Sequence, residues 1–313
     1  MILIPKHKDL DLELKVPTRY VGHFKLEAVG LDGRVRPLAE FDNLITTLGA
    51  DMLGGVNSGS IFQTVAVGSG NTAPALTDTA LQTLVASTST GGPASPVLSN
   101  SGSSPYYGIT TVQLQFAIGA AAGNLSEVGI GFSATQLFSR ALILDGLGSP
   151  TTITVLSTEA LYVTYTLRQY VPLTDVTGNV TLNAIVYAYT LRAMNAAATC
   201  AWAIFNGGDN PTLNSATAYS GAIGAITGSP AGTASNASST STSAYTTGSF
   251  VRAATATWGL TSGNVGGIGA VSTIWGSSQS RGDYQIGFSP VIPKDSSHIL
   301  TLNFQMSWAI NTP

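Results

Sequence analysis

The residues best suited to chemistry in this chain are few and widely spaced. Its three histidines are His7, His23 and His298, and none has a cysteine or second histidine at metal-ligand spacing. Gly68-Ser-Gly-Asn-Thr-Ala-Pro74 lacks both the third glycine of a dinucleotide loop and the lysine of a P-loop, so it does not read as a phosphate cradle. Gly129-Ile-Gly-Phe-Ser133 has its serine at the wrong end for a nucleophile elbow. Glycan hydrolysis needs two carboxylates converging on one bond. Glu127, Asp145 and Glu159 are the acids of an otherwise neutral stretch. Glu127, beside an apolar run, is expected to be buried and paired, with Arg140 as its partner. Arg140 and Arg281 recur in matching places, which suits arginines that pin loops by their carbonyls. No catalytic residue, metal or cofactor is assigned, and the chain is expected not to be an enzyme.

The tryptophans carry the other candidate chemistry. Trp202, Trp258, Trp275 and Trp308 all fall in the second half. Exposed rings among Ser, Thr and Asn would stack on the apolar faces of sugars. Buried rings would instead fill a sandwich core or a subunit interface. Both readings stand at this point. The single cysteine, Cys200, lies in an apolar context and reads as a small core residue.

These side chains are set in a chain of 313 residues of which 9% are charged, against the ~25% usual in soluble domains. About half of those charges precede Met52, which suggests an N-terminal region with a different neighbour. The net charge of −3 gives no basic footprint for nucleic acid. Met1-Ile-Leu-Ile4 is too short for a signal peptide, and no apolar run approaches a bilayer span. So little charge suits a subunit packed against its own copies.

The elements that must position these residues read mostly as strands. Asp9 to Lys15 and Tyr20 to Val29 alternate with period two, and Asp32-Gly33 marks a hairpin turn. Residues 42–53 are the clearest helix, with Asp42 or Asn43 as cap and Gly54-Gly55 as the stop. Residues 228–243 have linker composition, and we read them as a loop pinned by its neighbours. Residues 108–171 and 250–308 repeat one phrase: an alternating segment, a Gly-Asn pair (Gly123-Asn124, Gly263-Asn264), an apolar-glycine run, an arginine, a proline turn and a final alternating strand. The fold class is all-β, two tandem jelly-roll-like β-sandwich modules with one short helix. The expected division is an extended docking segment over 1–40 and sandwiches over 41–172 and 173–313.

One string of residues has a family likeness. Phe41-Asp-Asn-Leu-Ile-Thr46, Gly49-Ala-Asp51, Val65-Ala-Val-Gly-Ser-Gly70, Thr72-Ala-Pro74 and Thr77-Asp-Thr-Ala-Leu81 follow one another in order. Asn124-Leu-Ser-Glu-Val-Gly129, Ser139-Arg-Ala141 and Leu161-Tyr-Val-Thr-Tyr165 continue it. Together they resemble tailed-bacteriophage virion proteins of the tail-fibre, collar or appendage type, over residues 40–172. The resemblance implies a non-enzymatic virion component built of β-sandwich modules, often trimeric. Its expected partners are sister chains and other neck, tail or baseplate proteins, with residues 1–40 as the dock. A receptor-binding module that holds host surface glycan on its tryptophans, and a polysaccharide depolymerase, are the alternatives.

Overall fold

The computed structural model describes residues 8–11, 16–55, 61–92, 97–182, 184–198, 211–277 and 280–309. His7, Cys200, Trp202 and the side chain of Arg281 lie outside the described part. The protein is all-β, with one helix among the described residues. Among the described residues no helix is long and apolar enough to cross a membrane.

The first half runs β1 (Lys8–Asp11), β2 (Val16–Gly30), β3 (Val35–Ile45), α1 (Thr47–Gly54), β4 (Thr64–Gly68), β5 (Leu84–Thr88), β6 (Val97–Asn100), β7 (Tyr107–Phe116), β8 (Gly123–Leu125), β9 (Glu127–Ser133), β10 (Gln136–Leu142), β11 (Ile153–Val155) and β12 (Glu159–Tyr170). The second half runs β13 (Val176–Leu182), β14 (Ile185–Ala193), β15 (Leu213–Tyr219), β16 (Ala234–Asn236), β17 (Ser239–Thr242), β18 (Val251–Trp258), β19 (Ile268–Ser277), β20 (Ser280–Ile292) and β21 (Leu300–Ala309).

The repeat seen in the sequence is a repeat of topology, and it extends beyond the repeated phrase. In the first unit β7 pairs with β12, and β6 lies on the far side of β7. The facing layer runs β3-β10-β9-β4-β5. In the second unit β18 pairs with β21, and β17 lies on the far side of β18. Its facing layer runs β14-β20-β19-β15-β16. The corresponding strands follow in the same order along the chain. Within the repeated phrase, the first and last strands, β7 and β12 or β18 and β21, pair in one large sheet, and the middle hairpin, β9·β10 or β19·β20, goes to the opposite layer.

Alternation builds each core. In β2 the even positions Tyr20, Phe24, Leu26 and Ala28 are buried, and in β12 the odd positions Leu161, Val163, Tyr165 and Leu167 are. They face Val65 and Val67 of β4, Val128 and Ile130 of β9, and Phe138 of β10. Tyr165 sits at the centre, its ring 4.8 Å from Phe24, 5.2 Å from Phe62 and 6.3 Å from Phe138. In the second unit Leu300, Leu302, Phe304 and Met306 of β21 pack with Trp258 against Tyr187, Leu191, Val271, Ile286 and Phe288.

The two cores divide the chain between Leu167 and Val171, with Trp308 crossing back into the first. The sheets do not divide there. The C-terminal β21 runs parallel to β1 and to the start of β2, so strands of both halves share one sheet. The stretch 1–40, expected as a docking arm, supplies from Val16 onward a strand paired with β12, β3 and β21. Its alternating apolar residues are core, so this part is the spine of the large sheet.

The helix begins later than its pattern predicts. Asp42 pairs with His23 and Asn43 with Gly22, so both belong to the β2·β3 ladder rather than to a cap. Thr46 caps instead, its hydroxyl accepting the N–H of Gly49 at 2.9 Å. Gly55, at φ 100°, closes the end in the left-handed region, its N–H turned back to the carbonyls of Asp51 and Met52. The linker-like stretch 228–243 is held by its two short strands, β16 on β15 and β17 on β18.

Candidate functional site

The acids with candidate chemistry are all occupied. β9 opens with Glu127, and the β9·β10 register sets Arg140 across from Gly129 on the same side of the pair. Glu127 is fully buried and Arg140 is 3% exposed. Glu127 Oε1 accepts the backbone N–H groups of Gly70 at 3.0 Å and Thr83 at 2.8 Å. Its Oε2 accepts from Gln82 N at 3.1 Å and from Arg140 Nε and Nη2 at 3.0 and 2.8 Å. Arg140 also donates to Asp78 Oδ2 at 2.6 Å and to the carbonyl of Thr72 at 3.0 Å. Gln82 completes the unit by accepting from Asn71 N and Thr72 N at 2.9 Å each.

Five donor contacts on one carboxylate leave no open face for a substrate. Burial pushes the Glu127 carboxyl up. The amide N–H groups of Thr83 and Gln82 and the guanidinium of Arg140 outweigh it and hold the group below its ordinary value. An ionised carboxylate with its acceptor positions filled has no proton to give and no room to attack. This cluster fastens the loop between β4 and β5 onto the back of the first facing layer, over Ala66, Leu81 and Leu137. Gly70 is required there, since a side chain on it would meet the Glu127 carboxylate.

The other two acids also hold turns. Glu159 takes Arg36 Nη2 at 2.6 Å, Arg36 Nε at 3.1 Å and the N–H of Leu156 at 2.9 Å. Asp145 Oδ1 accepts from Ser149 N and Leu147 N at 2.9 and 2.8 Å. Both carboxyls are held below their ordinary values, Glu159 first by Arg36 and Asp145 first by the Ser149 N–H.

The two described histidines, His23 and His298, are each held by carboxylates. His23 lies between Asp42 at 2.8 Å and Glu40 at 3.0 Å, and His298 bonds Asp295 at 2.6 Å. Among the described residues no group of three or more histidine, cysteine or acidic side chains could hold a metal ion.

Three of the four tryptophans are described, and each is buried. Trp258 is fully inaccessible and donates its indole N–H to the carbonyl of Ser235 at 3.1 Å. Trp275 is 3% exposed. Trp308 stacks on Tyr245, centroids 5.6 Å apart, and donates to the carbonyl of Ala50 at 2.9 Å. None of the three offers a free ring face, so of the two readings, sugar platform or buried core, burial in the alternating strands β18, β19 and β21 places these three rings in the core.

Sequence reasoning missed two features. The first is a joint around α1. Asp51 Oδ1 accepts from the Tyr245 hydroxyl at 2.6 Å and from Gly248 N at 2.7 Å, and Arg252 Nη1 donates to the carbonyl of Gly54 at 3.0 Å. A lone tyrosine in a Ser/Thr-rich run is the one signal that could have marked it. The second is Gln285 on β20, fully buried. Its carbonyl accepts Gly224 N at 2.8 Å, and its amide reaches the carbonyls of Ala193 and Ala225 at 3.2 and 3.0 Å. It does for the second unit, with a neutral amide, what Arg140 and Glu127 do for the first.

Comparison with protein-family models, with curated proteins and with solved structures finds no match to this chain.

Proposed function

We propose that the chain is a structural subunit of a tailed-phage virion, of the collar, tail-fibre or baseplate-appendage kind, acting by assembly rather than catalysis. One observation carries this reading. Short motifs behind the family likeness lie in two separate stretches, 65–81 and 124–141, yet Gly70, Thr72, Asp78, Glu127 and Arg140 meet in one fastener centred on the buried Glu127–Arg140 pair. A string whose members serve one structural purpose is a stronger family signature than the same letters taken singly. The occupied acids favour a non-enzymatic role. Sparse charge and a repeated sandwich unit favour packing against sister chains, with a trimer as the proposed assembly and the virion as the site of action.

The test is immunogold electron microscopy with an antibody against residues 228–247, which are largely exposed. Label on intact particles from the phage that encodes the chain is expected, and its place (neck or distal tail) names the appendage. Denatured particles free of the antigen would sink the reading.

A further inference from the structure

We propose that the outer face of the large sheet carries a binding site for an acidic saccharide, formed by Arg19, Tyr170, Tyr107 and Arg168. The ladder sets these side chains together. Arg19 of β2 lies opposite Tyr170 of β12, and Tyr170 opposite Tyr107 of β7. Arg168 is two residues before Tyr170, so it shares the face. The Arg19 guanidinium carbon is 5.1 Å from the Tyr170 centroid, and that of Arg168 is 5.6 Å from the Tyr107 centroid. The two rings are 5.2 Å apart and tilted by 48°. Arg19 is exposed and the other three are half-exposed.

What distinguishes the cluster is unspent charge. Among the described arginine side chains, Arg34, Arg36, Arg140 and Arg192 each pair with a carboxylate, and Arg252 bonds a carbonyl. Arg19 and Arg168 have only the tyrosine rings as partners. Among the described side chains, the acids of the same face on β2 and β3, Glu27, Glu40 and Asp42, are engaged farther along the strands by Lys25 and His23. In a chain so poor in charge, two unpaired cations side by side select an anion.

The rest of the face selects the kind of anion. A guanidinium fork takes a carboxylate in two parallel bonds. Tyrosine rings take the apolar face of a sugar ring and leave their hydroxyls for its polar edge. Beyond them run neutral polar pairs, Thr111 with Thr166 at 3.2 Å and Gln113 with Thr164 at 3.1 Å, which suit a hydroxyl-rich chain. A peptide would seek a free strand edge or an apolar groove, and β2, β12 and β7 are interior strands here. The inference stands on this geometry and does not rest on the virion assignment.

Titration calorimetry on the full chain tests it, with oligogalacturonate and oligosialic acid as acidic probes. Maltohexaose serves as the neutral control and polyglutamate as the acidic non-sugar. Binding of at least one acidic sugar is expected, weakening as salt is raised. Arg19→Gln and Arg168→Gln should each weaken it about tenfold, the loss of one charge-assisted bond. Arg168→Lys, which keeps the charge and loses the fork, should weaken it less and covers the case in which Arg168→Gln fails to fold. Binding of neither acidic sugar, equal binding of maltohexaose or polyglutamate, or unchanged affinity in these variants would each overturn the proposal.

Discussion

Trp308 donates its indole N–H to the carbonyl of Ala50 at 2.9 Å, and so ties the last strand of the second unit to the helix of the first. The same helix receives Tyr245 and Gly248 on Asp51 and Arg252 on Gly54. Four hydrogen bonds and one stacked ring pair therefore tie the helix of the first unit to strands and loops of the second. Trp308→Phe keeps much of the stacking and loses the hydrogen bond, and should cost about 1 kcal/mol in denaturant unfolding. Trp308→Ala should cost about 3–5 kcal/mol. It should also split a single transition, followed by circular dichroism, into two.

The Glu127–Arg140 pair makes a second prediction. Removing one partner leaves a buried charge with its solvation unreplaced. Glu127→Gln and Arg140→Gln are each expected to cost about 3–5 kcal/mol. The double variant should cost clearly less than the sum, since the survivor of each single change is gone. Additive losses in a double-mutant cycle would mean that the two side chains act through separate contacts.

The same pair fixes the sign of an acid effect. Glu127 is held below its ordinary value of 4.5. Its folded form thus binds protons less readily than its unfolded form, and the stability it contributes is fully present above that value. That contribution is lost as pH falls through the lower folded value. Unfolding free energy should therefore decline on acidification below about pH 4.5. The decline should be shallower in Glu127→Gln. Equal pH slopes in variant and parent would exclude Glu127 from the acid response.

Much of this was open to reading in the chain itself. Period-two alternation locates β2, β7, β12, β18 and β21, because one buried face enforces it. The Glu127–Arg140 pairing could be expected because an acid beside an apolar run must find a cation. The helix start could not, because Asp42 and Asn43 are good caps locally and only the pairing with β2 claims them for a strand. The joint at α1 was hidden for another reason. Its partners Asp51 and Tyr245 stand 194 positions apart, and local pattern carries no trace of such a contact. The cores part between Leu167 and Val171, just before the division expected at 172, while the sheet continues across it, since burial sorts by unit and strand pairing does not. The second fastener is Gln285, an uncharged residue with no counterpart in the sequence pattern that marked Arg140.

Gly49 offers a prediction whose sign runs against helix propensity. Replacing an interior helical glycine by alanine ordinarily stabilises by about 1 kcal/mol. Here a Cβ on Gly49 would run into the backbone carbonyl of Phe138 on β10, against which the helix lies. That carbonyl already accepts Thr46 N at 3.0 Å, so it is not free to move aside. Gly49→Ala is therefore expected to destabilise by about 1–3 kcal/mol, as overpacking does. A stabilised variant would show that the helix can lift from β10 without loss.

Gln285 separates the two units by chemistry. Its amide spans Gly224 N and the carbonyls of Ala193 and Ala225, all backbone groups that do not titrate. Gln285→Ala would leave those groups unpaired in a buried site, for a loss of about 2 kcal/mol. Because neither side of the contact changes charge, that loss should be the same at neutral and acid pH. The penalty of Glu127→Gln should instead shrink as the carboxyl it replaces becomes protonated in the parent. Unfolding both variants at neutral pH and again near pH 3.5 distinguishes a neutral fastener from an ionic one within a single duplicated fold.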